Sequence, residues 1–183
     1  MRFGTPARVT EGEQNLTRAE ILDQVGRVAA DAQIRDDVCS RSTLIGLKTY
    51  FDWIPDELIR ASLSLCGGAG AASGSCGTYT CGLLAIGLKF NAPLEDEIND
   101  PAKQGVGASK FIEFRDRFIN AMGTTLCPEL HKQVFGRSYI FTNPEDAEAY
   151  GKVTDHHIKC ADVVDRATRV VAEMLLDYEG IVE

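Results

Sequence analysis

The chain has 183 residues, 44% of them hydrophobic, enough apolar material for one domain with a real core. Its 27 acidic residues outnumber 19 basic ones and leave a net charge of −8, which repels phosphate backbones and anionic lipid and sets nucleic acid aside as a partner. No segment approaches a membrane span, and the opening MRFGTPARVTEGEQN lacks the apolar run of a signal peptide, so the expected location is cytoplasmic.

Residues 1–15 read as a loose lead to a helical domain over 16–183. In NLTRAEILDQVGRVAADAQI, the residues Ile21, Leu22, Val25, Val28, Ala29 and Ala32 recur at helical spacing, with Asn15 or Thr17 available as the cap. A second helix is predicted from Asp36 or Asp37 to about Phe51, with Cys39, Thr43, Gly46, Leu47 and Tyr50 on one face. Pro55 suits the first turn of a third helix, PDELIRASLSL, which stops at the glycines.

The stretch LCGGAGAASGSCGTYTCG, Leu65 to Gly82, then sets three thiols among small residues, where the backbone can approach whatever the sulfurs hold or react with. From Gly77, GTYTCGLLAIGLKF reads as a buried helix with a strand as its competitor. Asn91 to Pro101 reads as an acidic, proline-bounded loop. SKFIEFRDRFINAMG carries Phe111, Phe114, Phe118, Ile119 and Met122 at helical intervals. CPELHKQVFG is a short turn or helix, and PEDAEAY a helical turn.

The last element has the clearest pattern: Cys160, Val163, Val164, Ala167, Val170, Val171, Met174, Leu175 and Tyr178 form one apolar stripe, which is expected to bury Cys160. Alternating strand patterns are almost absent. The fold class is mainly α, a single compact helical domain of about six to seven helices with a glycine-rich cysteine loop. Trp53 and the phenylalanines at 111, 114 and 118 read as core, with apolar surface left over for a homodimer.

Six cysteines in a cytosolic chain point to metal binding or redox chemistry before structural disulfides. Burial as a small apolar group is the plain alternative for any one of them. Cys39, Cys76, Cys127 and Cys160 all fall at or near predicted helix N-termini, where free N–H groups and the helix dipole stabilise thiolates. Four thiolates brought together repel one another unless a cation shares them or they oxidise in pairs, so a metal or iron–sulfur centre and disulfide chemistry both stay open. The spacing matches neither a short cluster signature nor a zinc ribbon, and without C-x-x-C-H covalent haem is excluded. His156 and His157, one turn before Cys160, are candidate extra ligands with solvation as the alternative, and His131 stands one turn after Cys127 as no more than a supporting group. GGAGAASG lacks the lysine of a phosphate loop, and Glu95, Asp96 and Glu97 read as a solvated cluster.

Taken together, DDVCSRSTLIGL, GGAGAASGSCGTYTCGLLAIGLKF, LCPELHKQVFG and IKCADVVDRATRVVAEML resemble the redox-active protein family C_GCAxxG_C_C, over about Asp36 to Tyr178. The resemblance implies a helical domain in which Cys39, Cys76, Cys127 and Cys160 are the family's four cysteines. A related domain in split-Soret cytochromes is linked with an iron–sulfur centre, which implies the same cofactor here. This chain departs from CGAxxG by Thr78 in place of alanine and Cys81 in place of the second glycine, and it adds Cys66. The function expected is a protein that binds an iron–sulfur cluster through those four cysteines, with Cys66, Cys81, His156 and His157 as additional candidates, and transfers electrons with a partner oxidoreductase or electron carrier. The alternatives are a thiol–disulfide oxidoreductase using Cys76 with Cys81 or Cys66, and a non-catalytic subunit of a larger reductase complex.

Overall fold

A capping box opens the first helix: the Thr17 hydroxyl accepts from the Glu20 N–H, and the Glu20 carboxylate accepts from the Thr17 N–H at 2.8 Å. The computed structural model describes residues 16–181, so the lead over 1–15 and the alternative cap Asn15 lie outside the described residues. From that box run α1 (Arg18–Asp36), α2 (Cys39–Lys48) and α3 (Asp56–Ala61), which tightens into a 3₁₀ turn (Ser62–Leu65). Beyond the cysteine-bearing loop come α4 (Gly77–Phe90), α5 (Leu94–Asn99), α6 (Pro101–Met122), α7 (Cys127–Phe135), α8 (Pro144–Gly151) and α9 (His156–Glu179). No strand forms among the described residues; an isolated bridge joins Ser75 and Leu126.

The mainly helical, single-domain reading stands, but nine α-helices replace the six to seven expected among these residues. One addition is α5, inside the segment read as an acidic loop. Pro93 sets its entry, and Glu95, Asp96 and Glu97 occupy its first turn, where carboxylates offset the positive end of the dipole. Another is α8, a full helix rather than a turn, because the Asn143 side chain accepts from the N–H groups of Glu145 and Asp146. Helix α6 begins eight residues before Ser109, at Pro101, capped by Asp100. Helix α2 stops at Lys48, short of Phe51. The helical reading of Gly77–Phe90 prevails over the strand.

Helix α9 is the centre of the packing and touches α1, α2, α4, α6 and α7. Val163, Val164, Ala167, Val170, Val171, Met174 and Leu175 are all buried along it, as the stripe predicts. At roughly 1.5–3 kcal/mol for each large apolar side chain, this one face supplies a substantial share of the hydrophobic stabilisation. The stripe fails at its ends: Cys160 is half-buried and Tyr178 is exposed, its hydroxyl donating to Glu113 at 2.8 Å.

On α6 the core takes Phe114, Phe118 and Met122, while Phe111 is 49% and Ile119 40% exposed, so the predicted stripe is narrower than drawn. Trp53 is half-buried against the same core. Gly82 lets α4 close on that side, since a Cβ there would stand 2.4 Å from the Phe114 ring and 2.8 Å from Val171. No helix among the described residues is long and apolar enough to cross a membrane.

Candidate functional site

The loop from Cys66 to Cys76 is built from backbone that most residues avoid. Gly67, Gly68, Ala69, Gly70, Ala71 and Ser73 all have φ between 55° and 84°, a left-handed curl in which three members are not glycine. Cross-loop bonds hold it: Ala71 N–H donates to Cys66 O at 3.1 Å, Ser73 N–H to Gly67 O at 3.0 Å and Gly74 N–H to Gly68 O at 3.0 Å. The loop's exit is then tied to the start of α7, because Cys76 N–H donates to Thr125 O at 2.7 Å and Cys127 N–H to Gly74 O at 2.9 Å. Those two bonds bring the entries of α4 and α7 side by side. Phe141 N–H, donating to Ser73 Oγ at 2.6 Å, docks the chain after α7 on the same loop.

The result is an apolar cavity of about 330 Å³, lined by Cys39, Cys66, Cys76, Cys127 and Cys160 together with Gln33, Asp37, His131, Phe141 and Tyr150. Its size falls at the lower end of small-molecule and cofactor pockets. Cys39 is the first residue of α2, Cys76 the N-cap of α4, Cys127 the first residue of α7, and Cys160 lies in the opening turns of α9. Five of the six thiols thus face one space, and all six are free. Cys81 is the exception. It is fully buried, away from the cavity lining, and burial pushes its thiol up to about 12.

Gly77 decides how closely α2 and α4 meet. A Cβ there would stand 2.7 Å from Cys39 Sγ, 2.9 Å from Ser40 Cβ and 3.0 Å from Ser40 N. The closeness couples two sulfurs: Cys39 is pushed well above the ordinary thiol value, first by its hydrogen bond to Cys76 and then by burial. The same bond lowers Cys76 to about 6 against the desolvation of burial, helped by the Thr78 hydroxyl at 3.2 Å and the N–H groups of Thr78 and Tyr79. Thr78 therefore serves the thiolate. Burial, and then the charges of Cys76, Cys160 and Cys66, raise Cys127, and burial raises Cys160 to about 12. With Cys76 lowered and Cys39, Cys127 and Cys160 raised, negative charge at neutral pH is favoured on Cys76 over those three neighbours.

His131 is 6% exposed and borders the cavity, closer in than the supporting place the sequence suggests. Its Nε2 is 3.6 Å from Cys127 Sγ, and Nδ1 makes no regular hydrogen bond. Burial, then His156, lower it to about 4, with the Tyr139 backbone opposing, so the ring is neutral. Tyr150 Oη is 3.6 Å from Cys160 Sγ, and burial followed by the Cys160 charge pushes that hydroxyl up, so it keeps its proton. Tyr150 was not legible as a site residue, because PEDAEAY carries only the pattern of a surface turn.

His156 and His157 are not in the cavity lining. His156 has both nitrogens engaged, Nδ1 with Val153 O and Nε2 with Asp37 Oδ2 at 2.8 Å. His157 rests edge-on against the His156 ring, centroids 5.6 Å apart.

Two of the three unpartnered buried polar atoms among the described residues, Gln33 Oε1 and His131 Nδ1, belong to cavity-lining side chains. Buried polar atoms ordinarily find partners, and either water or a bound group would supply them here. The donor set is soft sulfur, which suits copper(I), zinc or iron–sulfur clusters. Among the described residues no group of three or more His, Cys, Asp or Glu side chains is drawn together tightly enough to hold a metal ion. The thiols surround a volume rather than a point.

No curated protein and no solved structure matches the chain. A family model described as "Putative redox-active protein (C_GCAxxG_C_C)" matches residues 38–174, a span that takes in all six cysteines and every cavity-lining residue except Gln33 and Asp37. Since that span is most of the chain, and the thiols within it gather from four helix starts around one space, the chain belongs to the C_GCAxxG_C_C family.

Proposed function

We propose that this protein holds an iron–sulfur cluster through Cys39, Cys76, Cys127 and Cys160 and transfers electrons with a partner oxidoreductase. The observation that carries the reading is the gathering of those four sulfurs, from four separate helices, around a single apolar cavity. A bound cluster supplies one-electron chemistry, and its potential responds to burial and to hydrogen bonds on its sulfurs. The chain's own part is to keep that space dry, to present the N–H groups of Thr78 and Tyr79 to Cys76, and to set Gly67 N–H against Cys39. Cys76, its thiol already lowered, is the natural first ligand. The remaining thiols would release their protons to solvent as metal binds.

The test is anaerobic reconstitution with ferrous iron and sulfide. Stoichiometric iron and sulfide with a visible absorption that bleaches on reduction is expected, as is loss of both in each of the four Cys→Ser variants. Colourless, iron-free protein with native helical content overturns the reading.

A specific observation favours a second reading, a thiol–disulfide centre. Cys76 is lowered while Cys39 beside it is raised, an arrangement that suits a nucleophile and its resolving partner. In this reading Cys39 joins Cys66, which lines the same cavity, as a resolving partner, whereas Cys81 is sealed in the core. Mild oxidation of the metal-free protein by a small-molecule disulfide, followed by peptide mapping, separates the possibilities. A Cys76 crosslink to Cys39 or Cys66 supports this centre, and the absence of both removes it.

A further inference from the structure

We propose that His131 and Tyr150 act as a stacked pair of hydrogen-bond donors, one to the sulfur of Cys127 and one to that of Cys160, and so set the reduction potential of the centre. The inference rests on reading these cysteines as the redox centre, and it concerns positions outside the family's four cysteines.

The geometry is paired at every level. His131 follows Cys127 by one turn of α7, which lays the imidazole over the helix's own first residue, Nε2 at 3.6 Å from Sγ. Tyr150, on α8, reaches across to α9 and sets its hydroxyl 3.6 Å from Cys160 Sγ. The two rings lie 5.1 Å apart and 20° from parallel. Three further rings hold both: Phe135, Tyr139 and Phe141 each meet His131 edge-on at 5.4–5.9 Å and Tyr150 edge-on at 5.0–5.8 Å. Rings fixed this way keep their donors aimed at the sulfurs without reorganising when charge arrives.

Donor direction follows from the chemistry of the sulfur. A deprotonated or metal-bound sulfur has no proton to give, so each contact requires the proton on the partner. The Tyr150 hydroxyl retains its own. For His131 the Nε2–H tautomer is the one that donates to Cys127, and Nδ1 is then the atom without a hydrogen-bond partner. The opposite tautomer would send Nδ1–H toward the Tyr139 backbone and set a lone pair against the sulfur. Both donors stabilise the more negative, reduced form, so both raise the potential.

Three variants test this. Tyr150→Phe keeps the stack and removes only the hydroxyl; His131→Phe removes the imidazole donor; His131→Gln restores an N–H near the Nε2 position. In the reconstituted protein, Tyr150→Phe and His131→Phe are expected to lower the midpoint potential, and His131→Gln to recover most of it. In the reduced, metal-free protein at fixed pH, Tyr150→Phe is expected to slow alkylation of Cys160 by a factor of roughly 2–10, the worth of one ordinary hydrogen bond, and to spare Cys76. In the reconstituted protein, nitrogen NMR is expected to find the His131 proton on Nε2. Wild-type potential and wild-type Cys160 alkylation in Tyr150→Phe, or a proton on Nδ1, overturn the pair. The alkylation arm needs no cluster, so it decides the Tyr150 contact even where reconstitution fails.

Discussion

Replacing Gly77 with alanine sets two known energies against each other. In an open helix the change is favourable by about 0.8–1 kcal/mol, because alanine has less backbone entropy to lose. Here the new methyl would meet Cys39 Sγ at 2.7 Å, Ser40 Cβ at 2.9 Å and Ser40 N at 3.0 Å. The last is backbone of α2 and the second is fixed to it, so only the sulfur can turn away. Overpacking of this kind typically costs 1–3 kcal/mol. The net expectation is destabilisation of about 1 kcal/mol, which for a chain of this size lowers Tm by roughly 2–4 °C. A second, local effect follows: Cys39 leaves its hydrogen bond with Cys76, so the Cys76 thiol titrates at higher pH and its alkylation near neutrality slows. The assay is a pair of thermal melts with alkylation mapped by mass spectrometry, repeated in the Cys39→Ala background, where the shortest clash is gone and the penalty should shrink. A Gly77→Ala protein that melts higher than wild type, with Cys76 alkylated at the wild-type rate, would refute the close approach of α2 and α4 at the cavity.

Cys81→Ala is expected to cost about 1–2 kcal/mol in melting experiments, as a small buried truncation does, and to leave iron content and Cys76 alkylation unchanged; altered iron or thiol reactivity would give Cys81 a role in the centre. Ala69→Gly and Ala71→Gly relieve left-handed backbone at φ 64° and 55°, and each is expected to stabilise by about 0.5–1 kcal/mol after the entropy of the unfolded chain is counted, read as a higher Tm. The pH dependence has a definite sign. Cys76 falls from the ordinary 9.0 to about 6 on folding, so its contribution is complete above about pH 9 and is lost as the pH falls through 6. The stability gap between the reduced, metal-free wild type and Cys76→Ala should therefore widen from pH 6 to pH 8.5 in denaturant titrations. Above pH 9 the raised thiols of Cys81 and Cys160, each near 12, work in the opposite sense, and the wild type should weaken.

What the sequence made legible follows from which forces act locally. Helix α9 announces itself because its buried face repeats along one helix, and α1 because Thr17 and Glu20 sit at capping-box spacing. The four family cysteines were legible by their place at helix starts, which needs nothing beyond the chain's own neighbourhood. Helices α5 and α8 were less legible because they bury little, so hydrophobic periodicity has nothing to mark; their caps and first-turn carboxylates were the available signal. Phe111 and Ile119 sit at helical spacing from the core residues of α6, yet no neighbour covers that side.

The site shows the same division more sharply. Cys66 joins the other thiols only because a left-handed curl, rare for alanine and serine, folds its loop back on itself. Tyr150 reaches Cys160 across ten residues because His131, Phe135, Tyr139 and Phe141 assemble a ring cage from two elements and the loop between them. No spacing rule encodes either event. Helix starts place the cysteines, near neighbours in the chain supply Thr78 to Cys76 and His131 to Cys127, and only tertiary packing brings Gly77 against Cys39 and Tyr150 against Cys160.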